Sequence, residues 1–294
     1  MYLQAELVPV GKARLGEGPH WDEMRRELLW VDIEGRQLRV YHPEKGQEDV
    51  FHFAKMVTAV VPAAGGGWVL ALEDGIYSFS GQGEPRLLAP VEQDQPGNRL
   101  NDAKCDSQGR LWFGSMSMEG KQNAGAFYCL DTDGTVRRIL DGVGISNGMA
   151  WDESRGRMYY IDSLTRGVDA LNYEPGSGEV SGRQQIVQFG EDEGIPDGMT
   201  IDSEGMLWVA HYGGACVSRW NPLTGERLGK IGVPAKNVTS CTFGGEQLDE
   251  LYITSARGSM SVEELKDWPD TGGLFRVRPG VQGVPANRYT GKLG

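Results

Sequence analysis

Residues 101–117 read NDAKCDSQGRLWFGSMS. An Asp-Ser-Gln-Gly turn separates a short polar strand from a strand rich in Leu, Trp and Phe, which is the pattern of a β-hairpin. The phrase recurs as GEGPHWDEMRRELLWVDI at 16–33, TAVVPAAGGGWVLALED at 58–74, SNGMAWDESRGRMYYIDS at 146–163, PDGMTIDSEGMLWVAHY at 196–212 and TSCTFGGEQLDELYITS at 239–255. Marked at Glu17, Thr58, Asn101, Asn147, Asp197 and Ser240, the copies start 41, 43, 46, 50 and 43 residues apart. More strand-like sequence follows each copy, such as GAFYCLDTDGTVRRIL at 125–140. That period fits a four-stranded propeller blade. Six copies predict an all-β, six-bladed β-propeller with four antiparallel strands per blade.

A ring must close. The chain has a spare strand at each end, LQAELVPV at 3–10 and GGLFRVRP at 272–279. The N-terminal strand near Leu7 is expected to complete the last blade beside Phe275, which removes exposed edges. No low-complexity or linker segment interrupts the series, so residues 1–294 read as one domain. The 43 glycines, about twice the usual share, suit many tight turns. SVEELKDWP at 261–269 predicts a single helical turn inside a loop.

Composition narrows the partners. A net charge of −12 repels phosphate backbones and anionic lipid, so neither nucleic acid nor a membrane is expected. The first residues show no signal peptide, and no stretch is long enough to span a bilayer. Cys105, Cys129, Cys216 and Cys241 are far apart in strand-like sequence and form no C-x-x-C pair. They read as free buried thiols in a reducing cytoplasm. A monomer acting on a small molecule is the expectation.

Topology gathers the chemistry. In each hairpin the first strand leaves the marked position and the second returns to the same face. Glu17, Asn101, Asn147 and Asp197 should therefore share one face with Asp32, Glu119, Asp162 and His211 around the axis. Carboxylates and amide oxygens together make a hard oxygen site for one divalent cation, with Ca²⁺, Mg²⁺ or Mn²⁺ favoured by the donors. Taken singly, Asn147-Gly148 and Asp197-Gly198 read as turn dipeptides. Four such residues at one phase of the repeat argue for a site. His211, on the active face, is a candidate to line the pocket. His20 reads as packing near Glu17, and His42 and His52 as solvent-facing. Trp30, Trp68, Trp112, Trp208 and Tyr252 recur at the second-strand phase and read as core between blades.

The phrases LGEGPHWD, NRLNDAKCDSQGRLWFGSM, ISNGMAWDE and IPDGMTIDSEGMLWVA closely resemble the regucalcin/gluconolactonase (senescence marker protein) family, in order and spacing over nearly the whole chain. The resemblance implies a sugar lactonase. It implies that Glu17, Asn147 and Asp197 bind the metal, with Asn101 beside it as ligand or substrate contact. It further implies that Arg99 and Glu119 hold substrate hydroxyls and that Asp197 is the general base. Relatives also accept Zn²⁺ or Fe²⁺. WVAHYGGA departs from the family pattern by placing His211 and Tyr212 at the pocket wall.

Chemistry supports the same reading independently. Lactone hydrolysis needs a polarised carbonyl, an activated water and stabilisation of the tetrahedral oxyanion. A cation with a neighbouring carboxylate can supply these. Arg99 is a fixed cation with a forked donor set suited to hydroxyls and a new carboxylate. G-x-S-x-G and phosphate-cradling loops are absent, which argues against serine hydrolase and nucleotide chemistry. The expected activity is metal-dependent hydrolysis of an aldonolactone, such as a glucono-, xylono- or arabinonolactone. The competing readings are a calcium-binding regulatory protein without catalysis, and an organophosphate or aryl-ester hydrolase on the same metal.

Overall fold

A computed structural model of the chain describes residues 3–293. Six sheets stand around one axis, each built on four antiparallel strands, here blades 1 to 6; in blades 1 to 5 these four follow chain order. Their innermost strands are Gly16–Asp22, Val57–Pro62, Asn98–Cys105, Ser146–Asp152, Ile195–Ile201 and Val238–Gly244. Each innermost strand lies against the next, and the last lies against the first, so the ring is closed.

The hairpin aspartates explain why the repeat folds locally. Asp106 Oδ1 accepts from the backbone N–H of Gln108 and Arg110, and Asp202 Oδ1 accepts from Glu204 and Met206. Asp22 and Asp152 cap their own turns in the same way. The second carboxylate oxygen of Asp106 takes the Trp112 indole N–H at 2.7 Å, and that of Asp202 takes the Trp208 indole at 2.9 Å. A turn signal and an aromatic strand are thereby tied into one unit.

The core is divided as the repeat requires. Six apolar clusters are present among the described residues, one at each interface between neighbouring blades. Trp30, Trp112 and Tyr252 are fully buried in them, and Trp68 and Trp208 nearly so. Truncating such a residue to alanine costs about 3–5 kcal/mol, because the rigid walls of two sheets cannot collapse into the gap.

Closure occurs where expected, with one difference. Glu6–Leu7 supplies the outermost strand of blade 6, with Leu7 opposite Phe275. The preceding Leu3–Gln4 does not continue that strand. It pairs in parallel with Ile231 and Gly232 on the outer edge of blade 5. Buried Ala5 sits at the crossing, where its N–H donates to the Gly232 carbonyl at 2.9 Å. The N-terminal segment thus stitches two blades.

The helical turn is Val262–Asp267, between the second and third strands of blade 6, and Ser261 and Glu264 cap it reciprocally. His42 is less exposed than expected, because it sits between Glu27 and Asp49. Among the described residues no helix is long and apolar enough to cross a membrane. The four cysteines are free and buried.

Candidate active site

Every innermost strand carries one more residue than its partner near its start. The registers skip between Glu17 and His20, Val57 and Ala59, Leu100 and Ala103, Ser146 and Met149, Pro196 and Met199, and Val238 and Ser240. Such a β-bulge kinks the strand and re-aims a side chain. In blades 1, 3, 4 and 5 the residues presented there are Glu17, Asn101, Asn147 and Asp197. In blades 2 and 6 they are Thr58 and Thr239, whose hydroxyls are spent on the carbonyls of Ala71 and Gly16. In blade 6 the bulge residue is therefore Thr239, one before the marked Ser240.

Gly148 and Gly198 have a role beyond turn chemistry. Neither has a positive φ. A Cβ on Gly198 would lie 2.0 Å from Ser240 Oγ, and one on Gly148 would lie 2.6 Å from the Met199 nitrogen. Neighbouring strands converge so tightly at the axis that only glycine fits behind Asn147 and Asp197.

Hydrogen bonds fix which atoms face the cavity. Ser163 Oγ lies 2.7 Å from the Pro196 carbonyl, which can only accept, so the serine hydroxyl donates there. Ser163 Oγ must then accept from Asn147 Nδ2 at 2.9 Å. This turns Asn147 Oδ1 away from Ser163. The same logic orients Asn101. Its Nδ2 donates to the Ser146 carbonyl at 2.8 Å, and its Oδ1 accepts from Arg99 Nη1 at 2.6 Å.

The resulting cavity holds about 280 Å³ and is lined by Glu17, Arg99, Asn101, Asn147, Ser163 and Asp197, with Tyr212 and Met116 on its wall. Asn147 Oδ1 and Asp197 Oδ1 are buried without a hydrogen-bond partner. Burial pushes the carboxyls of Glu17 and Asp197 well upward, and the charge of Asp102 adds to both. Glu17 raises Asp197 further. Burial lowers Arg99, against the opposing pull of Glu17 and Asp197.

Two buried carboxylates that destabilise each other, beside an orphaned amide oxygen, are short of positive charge. A divalent cation held by Glu17, Asn147 and Asp197 answers that shortage with oxygen donors throughout. Among the described residues no group of three or more His, Cys, Asp or Glu side chains is placed to hold a metal, so the amide oxygen is needed to complete a donor set.

Some expected residues lie elsewhere. Glu119 sits in an exposed turn, ion-paired with Lys121, and does not line the cavity. His211 is buried, but its ring faces away. Nδ1 lies 2.7 Å from the Glu193 carbonyl and so donates to it, and Nε2 lies 2.5 Å from Ser218 Oγ. The next residue, Tyr212, occupies the wall instead, because successive side chains on a strand point to opposite faces. Asp32 and Asp162 lie on the expected face but accept from backbone N–H groups of the loops between blades. Ser163 is the polar contributor that sequence reasoning missed. Ser163 follows Asp162 at the end of its phrase, and only the fold brings it to Pro196.

Comparison with known proteins gives a consistent result. A family model described as the SMP-30/gluconolactonase/LRE-like region matches residues 15–257. A Bacillus subtilis (strain 168) protein provisionally named sugar lactone lactonase YvrE is 41% identical over 288 residues, covering 96% of this chain and 98% of its own. Regucalcin of Danio rerio is 40% identical over 293 residues, covering 98% and 99%. Among solved structures, a calcium-binding protein, regucalcin, from Agrobacterium tumefaciens str. C58 superposes with a TM-score of 0.93 at 25% identity, covering 98% of each chain.

Proposed function

Because this chain belongs to the SMP-30/gluconolactonase/LRE-like family, whose relatives support lactone hydrolysis in general, we propose that it is a metal-dependent sugar-lactone hydrolase acting on an aldonolactone such as a glucono-, xylono- or arabinonolactone. The observation that carries this reading is the pairing, in one cavity, of a cation-deficient oxygen cluster with the half-buried guanidinium of Arg99.

Glu17, Asn147 and Asp197 hold the cation. When bound, a divalent cation supplies Lewis-acid polarisation of the lactone carbonyl and stabilises developing negative charge. The chain's own groups do the rest. Asp197 orients the attacking water and accepts its proton. Arg99 spends Nη1 on Leu100 and Asn101, so its remaining donors are free for ring hydroxyls and for the carboxylate formed as the ring opens. Asn101 positions Arg99 rather than offering a spare oxygen. The wall of Tyr212 and Met116 limits access of bulk water. The four buried free thiols support cytoplasmic residence.

A second reading is favoured by the calcium-binding neighbour: cation binding without catalysis. Arg99 separates the two. A binding-only site gains nothing from a guanidinium, which repels a cation. Acid release from a panel of aldonolactones and aryl esters, with and without chelator, is the primary test. Activity on an aldonolactone that chelator abolishes is expected. Arg99→Ala should keep its metal content and lower kcat/KM roughly 10²-fold, about 2.7 kcal/mol of transition-state stabilisation. Wild-type protein inert toward every aldonolactone would favour the binding-only reading.

A further inference from the structure

A second cavity opens at the other ends of the innermost strands. His20, Lys104 and Thr200 follow Glu17, Asn101 and Asp197 by three residues, and Thr242 follows Thr239 by three. They line a cavity of about 480 Å³ on the face opposite the cation site, with Met149 and Trp151 beside them. The C-terminal segment crosses this face and contributes Val284–Asn287 to the cavity. It is fastened at several points. Gly283 bridges to Asp202, Tyr289 bridges to Ala63, and Arg288 pairs with Asp22.

The polar groups at this mouth are under-used. Lys104 Nζ donates to the Met199 carbonyl at 2.7 Å and has two further protons to give. The buried Asp102 carboxylate acts on it electrostatically without a direct ion pair. His20 Nε2 and Trp151 Nε1 are buried without partners. Six buried side-chain polar atoms lack a partner among the described residues, and two of them line the cation cavity while another two line this one. The carboxylates at the rim do not neutralise Lys104. Of these carboxylates, Asp152 is engaged by Arg155, Asp202 and Glu204 are engaged by Arg219, and Glu153 is exposed to solvent.

We propose that this opposite mouth is a second ligand site, built for a small molecule bearing an oxyanion, either a carboxylate or a phosphate group. The argument is one of sign and donor count. A largely buried ammonium whose acidic neighbour, Asp102, makes no direct ion pair with it is costly. An oxyanion supplies the missing charge and several acceptors at once. The indole N–H of Trp151 is a donor only, and the Thr200 and Thr242 hydroxyls can donate. A cation would be repelled by Lys104, and an apolar guest would leave these donors unpaired. Burial and the charges of Lys104 and Arg288 hold the His20 ring neutral, with its pKa lowered to about 3, so it offers one N–H. Met149 and Pro285 supply an apolar wall for the body of the molecule.

Calorimetric titration of the cation-loaded protein with succinate and, separately, inorganic phosphate tests the site. One equivalent should bind with a dissociation constant below roughly 1 mM. Succinate binding alone assigns a carboxylate, and phosphate binding alone a phosphate group. Lys104→Met should weaken binding by about tenfold or more, the scale of one charge-assisted contact. Should Lys104→Met fail to fold, the Thr200→Val/Thr242→Val double variant carries the test, with weaker binding again expected. The proposal is overturned if neither probe binds up to roughly 10 mM. It is equally overturned if binding persists unchanged in the variants, or if Asp197→Ala abolishes it, which would place the probe at the cation cavity.

Discussion

Ser163 touches no expected substrate atom, yet it decides what Asn147 can do. By donating to the Pro196 carbonyl and accepting from Asn147 Nδ2, it leaves Asn147 Oδ1 as the free end of the amide. Partners of this kind typically change metal affinity by about 10–100-fold when removed. Ser163→Ala should lower divalent-cation affinity by roughly tenfold in a calorimetric titration while leaving the far-UV spectrum intact; an unchanged affinity would show that Asn147 is oriented by something else. His211 makes a different case. Burial lowers its pKa to about 4 from the usual 6.5. The unfolded chain therefore takes up its proton first as pH falls. The associated stability is present above about pH 6.5 and is lost as pH falls toward 4, by about 3 kcal/mol in all. His20, lowered further, adds to the same fall, so melting temperature against pH should drop across that window and His211→Gln should make the drop shallower without removing it. A wild-type profile that is flat from pH 7 to roughly pH 4.5 would contradict the assignment.

At the scale of elements, the bulge and the closing strand matter most. The bulge recurs in all six innermost strands, so it belongs to the architecture of the blade; the residue placed in it differs from blade to blade. The fold makes the positions, and the sequence selects four of them for chemistry. The N-terminal segment serves closure. Leu3–Gln4 extends blade 5, Glu6–Leu7 completes blade 6, and Ala5 and Val8 are buried between. Removing residues 1–8 exposes an apolar seam and leaves Phe275–Val277 as a bare edge. The melting temperature should drop by roughly 10 °C, from a loss on the order of 3–5 kcal/mol. A truncated chain that melts with the full-length protein would show that blade 6 is stable with three strands.

For the molecule as a whole, Glu17, Asn147 and Asp197 come from three blades, so a cation shared by them would tie blade 1 to the adjacent blades 4 and 5 across the ring. A ligand that binds the folded state alone stabilises it by about 2.7 kcal/mol at a hundredfold excess over its dissociation constant. Thermal unfolding should therefore shift upward on adding a divalent cation to chelator-treated protein, and Asp197→Ala should abolish the shift. An equal shift in that variant would locate the stabilising ion elsewhere. The two cavities on the axis differ in the groups their innermost strands present, with Glu17 and Asp197 in one and Lys104 in the other. One axis can hold both because its two ends are built from different residues of the same strands.

The blade number and the phase of Glu17, Asn101, Asn147 and Asp197 were legible in the chain, because hairpin signals are local and repeat at one period. Closure beside Phe275 was also legible, since a spare strand at each end of a ring has one economical place to go. Other features depend on contacts between residues distant in sequence. Asp32 and Asp162 look like Asp197 on paper, but the loops between blades claim them. His211 and Tyr212 are neighbours, and the pleat of one strand assigns only Tyr212 to the cavity. Gly148 and Gly198 read as turn residues until the ring brings Met199 and Ser240 against them. Local periodicity determined the architecture and the candidate ligands. Packing across blades decided which polar atoms remain unsatisfied, because a donor is free or spent according to what the rest of the molecule places beside it.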